Sequence, residues 1–392
     1  MICSTVDAMS FRTGLARTLE LDRGGASNSA TMEGLRGVAI GLVFCVHYAG
    51  ALNDWIAPGT PLQTVVDIMA VGGFGVDLFF VLSGYLIYGL VVSRPHSLRS
   101  YFSRRFWRIY PTFAVALALA VVAAGVTKSP FALPTNPIEL VTVLIANALL
   151  LPGILPFEPI MTVAWSLSFE VAAYILFPLG VTWLNLRERS RAYRVRVLGA
   201  VWLIHLLMTV PFGLAPRMSA IFGGAILWEF AHDRQILVRG WMRWSTVLLV
   251  IVAIAVDYAV PVSVGPLVAT AGFVVLVAVA FSDHGWLRSA LSWTPLRWFG
   301  NMSYSYYLFH AMVLSGARWA FAQVWPPSLT APFSHEPWAF FAFILPAFGL
   351  TVVCAYVAFV LIERPISLVP DKGAAAVRLL RRFRISVPRT SP

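Results

Sequence analysis

The stretch GVDLFFVLSGYLI, residues 75–87, decides the class of fold. It belongs to an apolar run over 71–92 in which Asp77 is the one charged side chain. A helix needs about 20 predominantly apolar residues to cross the hydrocarbon core of a bilayer, and this run is long enough. Runs of the same kind recur between residues 35 and 362, so the sequence predicts an all-α, polytopic membrane protein.

The composition of the 392 residues agrees with this prediction. Charged residues make up 12% of the chain, against about 25% in soluble domains, and the mean hydropathy is +0.77. These values exclude a single soluble domain and a disordered chain. The net charge of +11 comes from short basic clusters between apolar runs, which favours cytoplasmic loops over nucleic-acid binding. The three cysteines have no metal-binding spacing, so we expect neither a metal site nor a disulfide framework.

The apolar runs predict about ten membrane-spanning helices. In chain order the candidate spans are 35–52, 71–92, 110–126, 165–185, 197–212, 218–232, 244–260, 265–282, 298–320 and 338–362. One further apolar stretch, 139–155, contains Pro152 and Gly153 and is followed by Pro156, and these residues suit a broken helix that lines a cavity. We therefore expect 139–155 to be a re-entrant or broken segment.

The distribution of positive charge supports that topology. With ten spans, 26 of the 29 lysine and arginine residues lie on the cytoplasmic side, as the positive-inside rule requires. If 139–155 crossed the membrane, the arginine-rich loop 187–196 would lie outside. The sequence thus predicts a flexible cytoplasmic N-terminal tail over 1–31, a transmembrane domain over 32–366 and a basic cytoplasmic C-terminal tail over 367–392.

The first predicted span carries Arg36 and His47. Their separation of 11 residues leaves about 20° between them around a helix and about 16 Å along its axis. An imidazole is a natural proton acceptor near neutral pH, and a cation at the cytoplasmic end suits an anionic cofactor that reaches inward. The alternative from spacing alone is a snorkelling arginine and a histidine hydrogen-bonded between helices.

Four more charged side chains are candidates for a site. Asp77 lies in the second span, where an ionisable group is costly, and it is either a structural partner or a site residue. Arg104 and Arg108 stand four residues apart and share a helix face, with Arg105 beside them. Arginine clusters bind phosphates bidentately, and the alternative is anchorage to lipid headgroups.

Two further segments place polar groups in apolar surroundings. In AWSLSFE, which ends at Glu170, the carboxylate is expected to bind a hydroxyl substrate, orient His47 or balance a buried arginine. In GNMSYSYYLFH, which ends at His310, the side chains of Ser303, Tyr307 and His310 form one polar stripe at helical spacing. Such a stripe either lines a cavity or joins helices by hydrogen bonds.

Taken together, these segments resemble the acyltransferase-3 family of integral membrane O-acyltransferases. Six stretches match the family's motifs in the same order along the chain: GLRGVAIGLVFCVH (34–47), GVDLFFVLSGYLI (75–87), RRFWRIYP (104–111), WSLSFE (165–170), SYSYYLFH (303–310) and IERP (362–365). Each motif is weak by itself, but six in order are specific. A small departure is Glu33, where the family more often has aspartate.

The resemblance implies an enzyme that transfers an acyl group, commonly acetyl, from cytoplasmic acyl-CoA to a hydroxyl of a sugar, as in surface polysaccharides and glycosylated natural products. Acyl-CoA is then a co-substrate, and no tightly bound cofactor is expected. The resemblance implies that His47 acts as the base or the acyl carrier, aided by Arg36 and Glu170. It implies that acyl-CoA is bound by Arg36, Arg104, Arg105 and Arg108. The acceptor is expected to be bound by Asp77, Ser303, Tyr307 and His310.

Some members of that family carry a fused SGNH hydrolase-like domain outside the membrane. Here 27 residues follow Pro365, so we expect a stand-alone enzyme in the bacterial plasma membrane. The alternative is a transporter of a small anionic or sugar substrate, which explains the buried charges and the broken segment 139–155. A transporter predicts inverted repeats, and none is visible in the sequence.

Overall fold

The computed structural model describes residues 14–16, 18–21, 28–56, 58–95, 97–126, 133–212, 216–232, 237–259, 265–324 and 337–368. Most of the predicted tails, 1–31 and 367–392, lies outside the described residues. Within the described part of the first tail, Leu19 is buried and its carbonyl accepts a hydrogen bond of 3.0 Å from Asn301 Nδ2. Residues 14–16 and 18–19 are helical, and the next helix begins at Ser29.

The described residues fold into α-helices joined by turns and loops. In chain order the helices are α1 (Ser29–Leu52), α2 (Pro61–Ala70), α3 (Gly75–Ser93), α4 (Leu98–Val126), α5 (Pro137–Ala148), α6 (Ala164–Trp183), α7 (Arg191–Phe212), α8 (Ser219–Ala231), α9 (Gly240–Ala259), α10 (Gly265–Ser282), α11 (Trp286–Leu291), α12 (Thr294–Asn301), α13 (Ser303–Val324) and α14 (Pro337–Ala358). A π-helix over Phe359–Ser367 continues α14.

Six segments of the described chain are long and apolar enough to cross a membrane by length and composition. They are Ser29–Trp55, Pro61–Ser93, Leu98–Gly125, Ala164–Trp183, Arg191–Thr209 and Phe340–Ser367. The shorter apolar helices are Pro137–Ala148, Ser219–Ala231, Gly240–Ala253 and Leu267–Ser282. Each of the ten predicted spans falls on helical residues. The protein is therefore an all-α polytopic membrane protein, as the sequence predicts.

Two helix boundaries differ from the prediction. Helix α4 begins at Leu98, twelve residues before the predicted start of that span, so Pro111 lies inside the helix and not in its first turn. The predicted span 298–320 is divided at Met302 into α12 and α13. Glycine, asparagine and serine surround Met302 and are weak helix formers, which accounts for the break.

The predicted broken segment 139–155 consists of a short helix and a loop. Helix α5 has 12 residues and is about 18 Å long, less than the hydrocarbon core of about 30 Å. Asn147 at its end holds the following loop, because its amide donates to the Glu158 carbonyl at 3.0 Å. A Cβ at Gly153 would lie 2.6 Å from the Trp165 carbonyl oxygen, so this glycine lets the loop pack on the start of α6.

The larger of two compact units comprises residues 1–95, 169–303 and 317–345. Within it, α3 and α8 pack with their backbones in contact. A Cβ at Gly84 would lie 1.9 Å from the Ile221 carbonyl oxygen, and one at Gly224 would lie 2.0 Å from the Val81 carbonyl oxygen. Small residues are the usual means by which membrane helices approach so closely.

Buried ion pairs connect helices of the larger unit. Glu229 on α8 is 4% exposed and accepts hydrogen bonds from Arg194 Nε (2.6 Å), Arg194 Nη2 (2.8 Å) and the Tyr88 hydroxyl (2.5 Å). Glu33 on α1 pairs with Arg297 on α12 at 2.9 Å. A buried carboxylate needs such a complete set of donors, because loss of one partner leaves an uncompensated charge.

The smaller unit comprises residues 96–168, 304–316 and 346–392. Its π-helix packs along α4 and contains Pro365, which has no N–H to donate. The Tyr306 hydroxyl and Thr351 Oγ1 lie 2.9 Å apart and join α13 to α14. π-Helices are rare and are often found at functional sites. The IERP stretch within this π-helix is therefore a candidate for a functional role.

Candidate active site

Helix α1 carries both residues predicted to be central to the chemistry. It is continuous from Ser29 to Leu52, so Arg36 and His47 lie on nearly the same helix face, as the spacing predicts. Both side chains are half-buried.

The imidazole of His47 has one nitrogen fixed by the backbone. Its Nδ1 lies 2.8 Å from the carbonyl oxygen of Val43, one helical turn earlier. A carbonyl oxygen only accepts, so Nδ1 carries the proton and Nε2 of the neutral ring keeps its lone pair. This tautomer gives His47 the nitrogen that a general base or a nucleophile requires.

The guanidinium of Arg36 is held by a residue 267 positions away. Its Nε and Nη2 donate to Ser303 Oγ at 3.1 and 2.9 Å. Ser303 is 1% exposed and is the first residue of α13. The structure thus joins two of the predicted site residues, although it makes Ser303 a partner of the arginine. Binding of an acceptor by Ser303 stays a prediction.

Asp77 in α3 is fully buried and has a cationic partner. Arg217 Nη1 lies 3.3 Å from Asp77 Oδ2 and donates to the Gly73 carbonyl at 3.0 Å. The same guanidinium covers the ring of Phe74 at 5.7 Å. The ion pair with Arg217 supports the structural role that the sequence left open for Asp77. Contact between Asp77 and an acceptor stays a prediction.

Glu170 in α6 is half-buried and hydrogen-bonded within its own helix. Its Oε1 accepts from the Tyr174 hydroxyl at 2.7 Å, one turn later, and from Ser83 Oγ on α3 at 3.5 Å. These donors orient a carboxylate that still has lone pairs for a hydroxyl substrate.

The two arginines Arg104 and Arg105 lie near the start of α4. Arg104 is exposed, and its Nη1 donates to Ser100 Oγ at 2.5 Å. Arg105 is half-buried, with its guanidinium 5.5 Å from the centre of the Tyr101 ring. The hydrogen bond to Ser100 uses one of the five guanidinium N–H groups of Arg104, and the geometry of the guanidinium suits phosphate oxygens.

Arg108 differs from its two neighbours because it faces a buried carboxylate. Its Nη1 lies 2.6 Å from Glu363 Oε1, and the Glu363 side chain has no exposed surface. The second oxygen of Glu363 accepts from the backbone N–H of Ser305 at 3.1 Å and from its hydroxyl at 2.7 Å. The guanidinium also covers the ring of Tyr304 at 5.5 Å.

Tyr307 and His310 are buried in the smaller unit. The Tyr307 hydroxyl lies 2.5 Å from Ser166 Oγ and 3.1 Å from the Val163 carbonyl oxygen. The His310 ring stacks on Tyr306, with centroids 5.3 Å apart, and its Nδ1 lies 3.0 Å from the carbonyl oxygen of that residue. Tyr307 therefore joins α13 to α6 and to the residue before it, whereas the Nδ1 contact of His310 lies within α13. The role of these residues toward an acceptor stays a prediction.

Sequence reasoning missed the carboxylate and cation partners of the site residues. Glu363 was visible as part of IERP, and a carboxylate at the end of a span is a signal for a buried partner. Arg217 and Ser305 gave no comparable signal, because their partners are distant in the sequence. Among the described residues, no group of three or more His, Cys, Asp or Glu side chains is arranged to hold a metal ion.

The sequence matches a family model described as an acyltransferase domain, the acyltransferase-3 type, over residues 29–360. The chain belongs to this acyltransferase family. The match takes in all the motif stretches except the last, at 362–365. No solved structure gives a significant match.

Two relatives in this family show how far the similarity extends. The acyltransferase MdmB of Streptomyces mycarofaciens is 28% identical over 331 residues, which is 75% of this chain and 83% of the relative. The O-acetyltransferase OatA of Staphylococcus aureus is 26% identical over 281 residues, which is 62% of this chain and 46% of OatA. The chain thus spans less than half the length of OatA, and both relatives are named as acyltransferases.

Proposed function

We propose that this protein is an O-acyltransferase of the bacterial plasma membrane. It moves an acyl group, with acetyl as the expected one, from cytoplasmic acyl-CoA to a hydroxyl of a sugar or glycosylated acceptor. Membership of the acyltransferase family and the similarity to OatA, which is named as an O-acetyltransferase, support the reaction class. The observation that carries the proposal is the contact of 2.8 Å between His47 Nδ1 and the Val43 carbonyl oxygen, from which the tautomer follows.

In the proposed reaction, Nε2 of His47 removes the proton from the acceptor hydroxyl. The hydroxyl oxygen attacks the thioester carbonyl, the C–S bond breaks, and the proton passes to the coenzyme A thiolate. The products are an ester and free coenzyme A. A thioester is already activated, so positioning and one base suffice chemically. In the second possible route, Nε2 attacks the thioester carbonyl, and the C–S bond breaks to release the coenzyme A thiolate. The acceptor hydroxyl then takes the acyl group from Nε2, and its proton passes to the thiolate.

Other charged residues supply binding and orientation in this proposal. Arg36 interacts with the pantetheine or a phosphate of acyl-CoA, and Arg104 and Arg105 bind the phosphates. Glu170, oriented by Tyr174, accepts a hydrogen bond from the acceptor hydroxyl or from the imidazole. Acyl-CoA is a co-substrate that leaves as coenzyme A, and the lipid bilayer is the permanent partner.

The proposal is tested with purified protein, acetyl-CoA labelled in the acetyl group, and a panel of sugar acceptors. His47→Ala is compared with wild type and with His284→Ala, a matched control because His284 is exposed and lies in a turn. We expect transfer by wild type and the control, and a loss of roughly 100-fold or more in His47→Ala, since general bases contribute that much. Full transfer by a folded His47→Ala protein would contradict the proposed role.

The same protein separates the two chemical routes and the transporter alternative. Without an acceptor, an acyl-carrier mechanism predicts label bound to wild-type protein and none on His47→Ala, whereas a general-base mechanism predicts no labelled protein. Failure to bind coenzyme A at all would remove the acyl-CoA donor from the proposal and favour transport.

A further inference from the structure

The strongest polar cluster outside the His47 region surrounds Glu363. Its carboxylate is completely buried, yet it receives three hydrogen bonds: one from Arg108 Nη1 at 2.6 Å, one from the Ser305 backbone N–H at 3.1 Å and one from the Ser305 hydroxyl at 2.7 Å. A buried carboxylate that receives hydrogen bonds from a guanidinium and from two neutral donors is fully satisfied.

The position of Ser305 explains what this carboxylate does for the fold. Helix α13 starts at Ser303, after the break at Met302, so the N–H of Ser305 is among the first N–H groups that have no partner within the helix. A carboxylate at this end satisfies that donor and interacts favourably with the positive end of the helix dipole. Glu363, on the π-helix, thus caps α13.

Arg108 completes the cap from α4. Its charge balances Glu363, its guanidinium covers the Tyr304 ring at 5.5 Å, and the Tyr304 hydroxyl donates to the Ile109 carbonyl at 2.8 Å. These contacts join α4, the first turn of α13 and the π-helix within the smaller unit. The following turns of α13 carry Tyr307 and His310, so the cap also fixes the rotation of those side chains about the helix axis.

We propose that Arg108 is a positioning residue that holds α13 through Glu363, and that the phosphates of coenzyme A are bound without it. The inference rests on the proposed function, since it divides the three arginines of RRFWRIYP between two tasks. Arg104 is exposed, whereas Nη1 of the half-buried Arg108 donates to a carboxylate with no exposed surface. An anion that bound Arg108 would have to compete with that carboxylate at 2.6 Å.

The test compares Arg108→Gln, Glu363→Gln and the double variant with Arg104→Gln, the same substitution on the same helix. KM for acetyl-CoA, kcat and the thermal unfolding midpoint in detergent are measured for each. Arg104→Gln is expected to raise KM and leave the midpoint unchanged. Arg108→Gln is expected to raise KM less than Arg104→Gln does and to lower kcat by roughly 10- to 100-fold, since a misplacement of about 1 Å has an effect of that order.

The decisive comparison is between Arg108→Gln and the double variant. Arg108→Gln leaves the buried Glu363 carboxylate without its cation, so its unfolding midpoint falls by several degrees, and adding Glu363→Gln restores part of the midpoint and of kcat. Arg108→Lys, which keeps a cation, is expected to retain more kcat than Arg108→Gln. The inference is wrong if Arg108→Gln raises KM as Arg104→Gln does, or if Glu363→Gln brings no recovery.

The two proposals fail in different ways. If wild type neither binds coenzyme A nor turns over acetyl-CoA, the donor in the proposed function is wrong. In that case the order of unfolding midpoints still tests the link between Arg108 and Glu363, because the midpoints do not depend on a substrate.

Discussion

At the scale of single residues, the site depends on hydrogen bonds between side chains that are far apart in the chain. Ser303 accepts both N–H groups that Arg36 directs toward it, at 3.1 and 2.9 Å. A long arginine side chain loses much rotamer freedom when it is fixed. Because Ser303 already holds the Arg36 guanidinium in one orientation, less of that loss remains when Arg36 binds a substrate. This contact leads to a prediction that is separate from the test of His47.

Ser303→Ala should weaken the binding of acetyl-CoA by releasing Arg36. A hydrogen bond to a charged group contributes about 1.5–3 kcal/mol, which corresponds to a KM higher by roughly 10- to 100-fold if Arg36 contacts the co-substrate. Ser303→Thr keeps the hydroxyl and is the matched control. Steady-state kinetics over a range of acetyl-CoA concentrations provide the measurement. An unchanged KM in Ser303→Ala would show that Arg36 needs no fixed orientation.

The sequence predicts the relative positions of site residues only where they lie on the same helix. Arg36 and His47 share a face because helical geometry alone places them there, and the structure keeps them on one continuous helix. The pairings of Arg36 with Ser303, Asp77 with Arg217 and Arg108 with Glu363 could not be predicted, because these side chains meet only after distant helices have packed. Hydrophobic periodicity carries no information about which helices become neighbours.

At the scale of helices, the close packing of α3 against α8 depends on two glycines, Gly84 and Gly224, each of which contacts the backbone of the other helix. Gly84→Ala would place a Cβ 1.9 Å from the Ile221 carbonyl oxygen, and backbone atoms cannot give way as a flexible side chain does. The helices must separate, at a cost of about 1–3 kcal/mol, so less folded protein and a lower unfolding midpoint are expected. Gly199→Ala in α7, where a Cβ meets nothing within 4 Å, serves as the control and should leave the midpoint unchanged or raise it.

Asp283, in the turn between α10 and α11, makes the stability of the fold depend on pH. Burial alone would raise the pKa of Asp283, but hydrogen bonds from Arg243 (2.6 Å) and from the N–H groups of Gly285 and Arg288 lower that pKa below its ordinary value of 3.8. A lowered pKa means that the carboxylate stabilises the fold above the ordinary pKa and that this contribution is lost as the pH falls through the lower, folded-state value.

We therefore expect the unfolding midpoint of wild type to fall more steeply below about pH 4 than that of Asp283→Asn. Asp283→Asn should already be less stable at neutral pH, because Arg243 loses its charged partner. Thermal unfolding in detergent between roughly pH 3 and pH 7 makes the comparison. Parallel curves for the two proteins would show that Asp283 contributes nothing to the acid sensitivity.

Hydropathy predicted where helices lie better than where they begin and end. Every predicted span falls on helical residues, because a run of apolar residues in a membrane must satisfy its backbone hydrogen bonds internally. Helix α4, however, begins at Leu98 in a polar, arginine-rich stretch that a hydropathy window ignores. The break at Met302 was missed for the opposite reason, since the surrounding residues are apolar enough to extend a span although they are poor helix formers.

At the scale of the whole molecule, the orientation in the membrane follows from charge and depends on the segment 139–155. Helix α5 has only 12 residues, and the loop after it returns to the start of α6, where Ser168 Oγ donates to the Pro152 carbonyl. A segment of this kind need not cross the membrane. If it does not cross, the loop 187–196 lies on the cytoplasmic side, together with the other arginine-rich loops.

Cysteine labelling tests this orientation directly. In a background with Cys3, Cys45 and Cys354 replaced by alanine, Glu188→Cys introduces an exposed thiol in the arginine-rich loop, and Pro58→Cys introduces one between the segments Ser29–Trp55 and Pro61–Ser93. A membrane-impermeant maleimide should label Pro58→Cys in intact cells and Glu188→Cys only in inverted vesicles. Labelling of both from outside would mean that 139–155 crosses the membrane. The arginines of 187–196 would then oppose the positive-inside rule, so the positive charge of the remaining loops would have to determine the orientation.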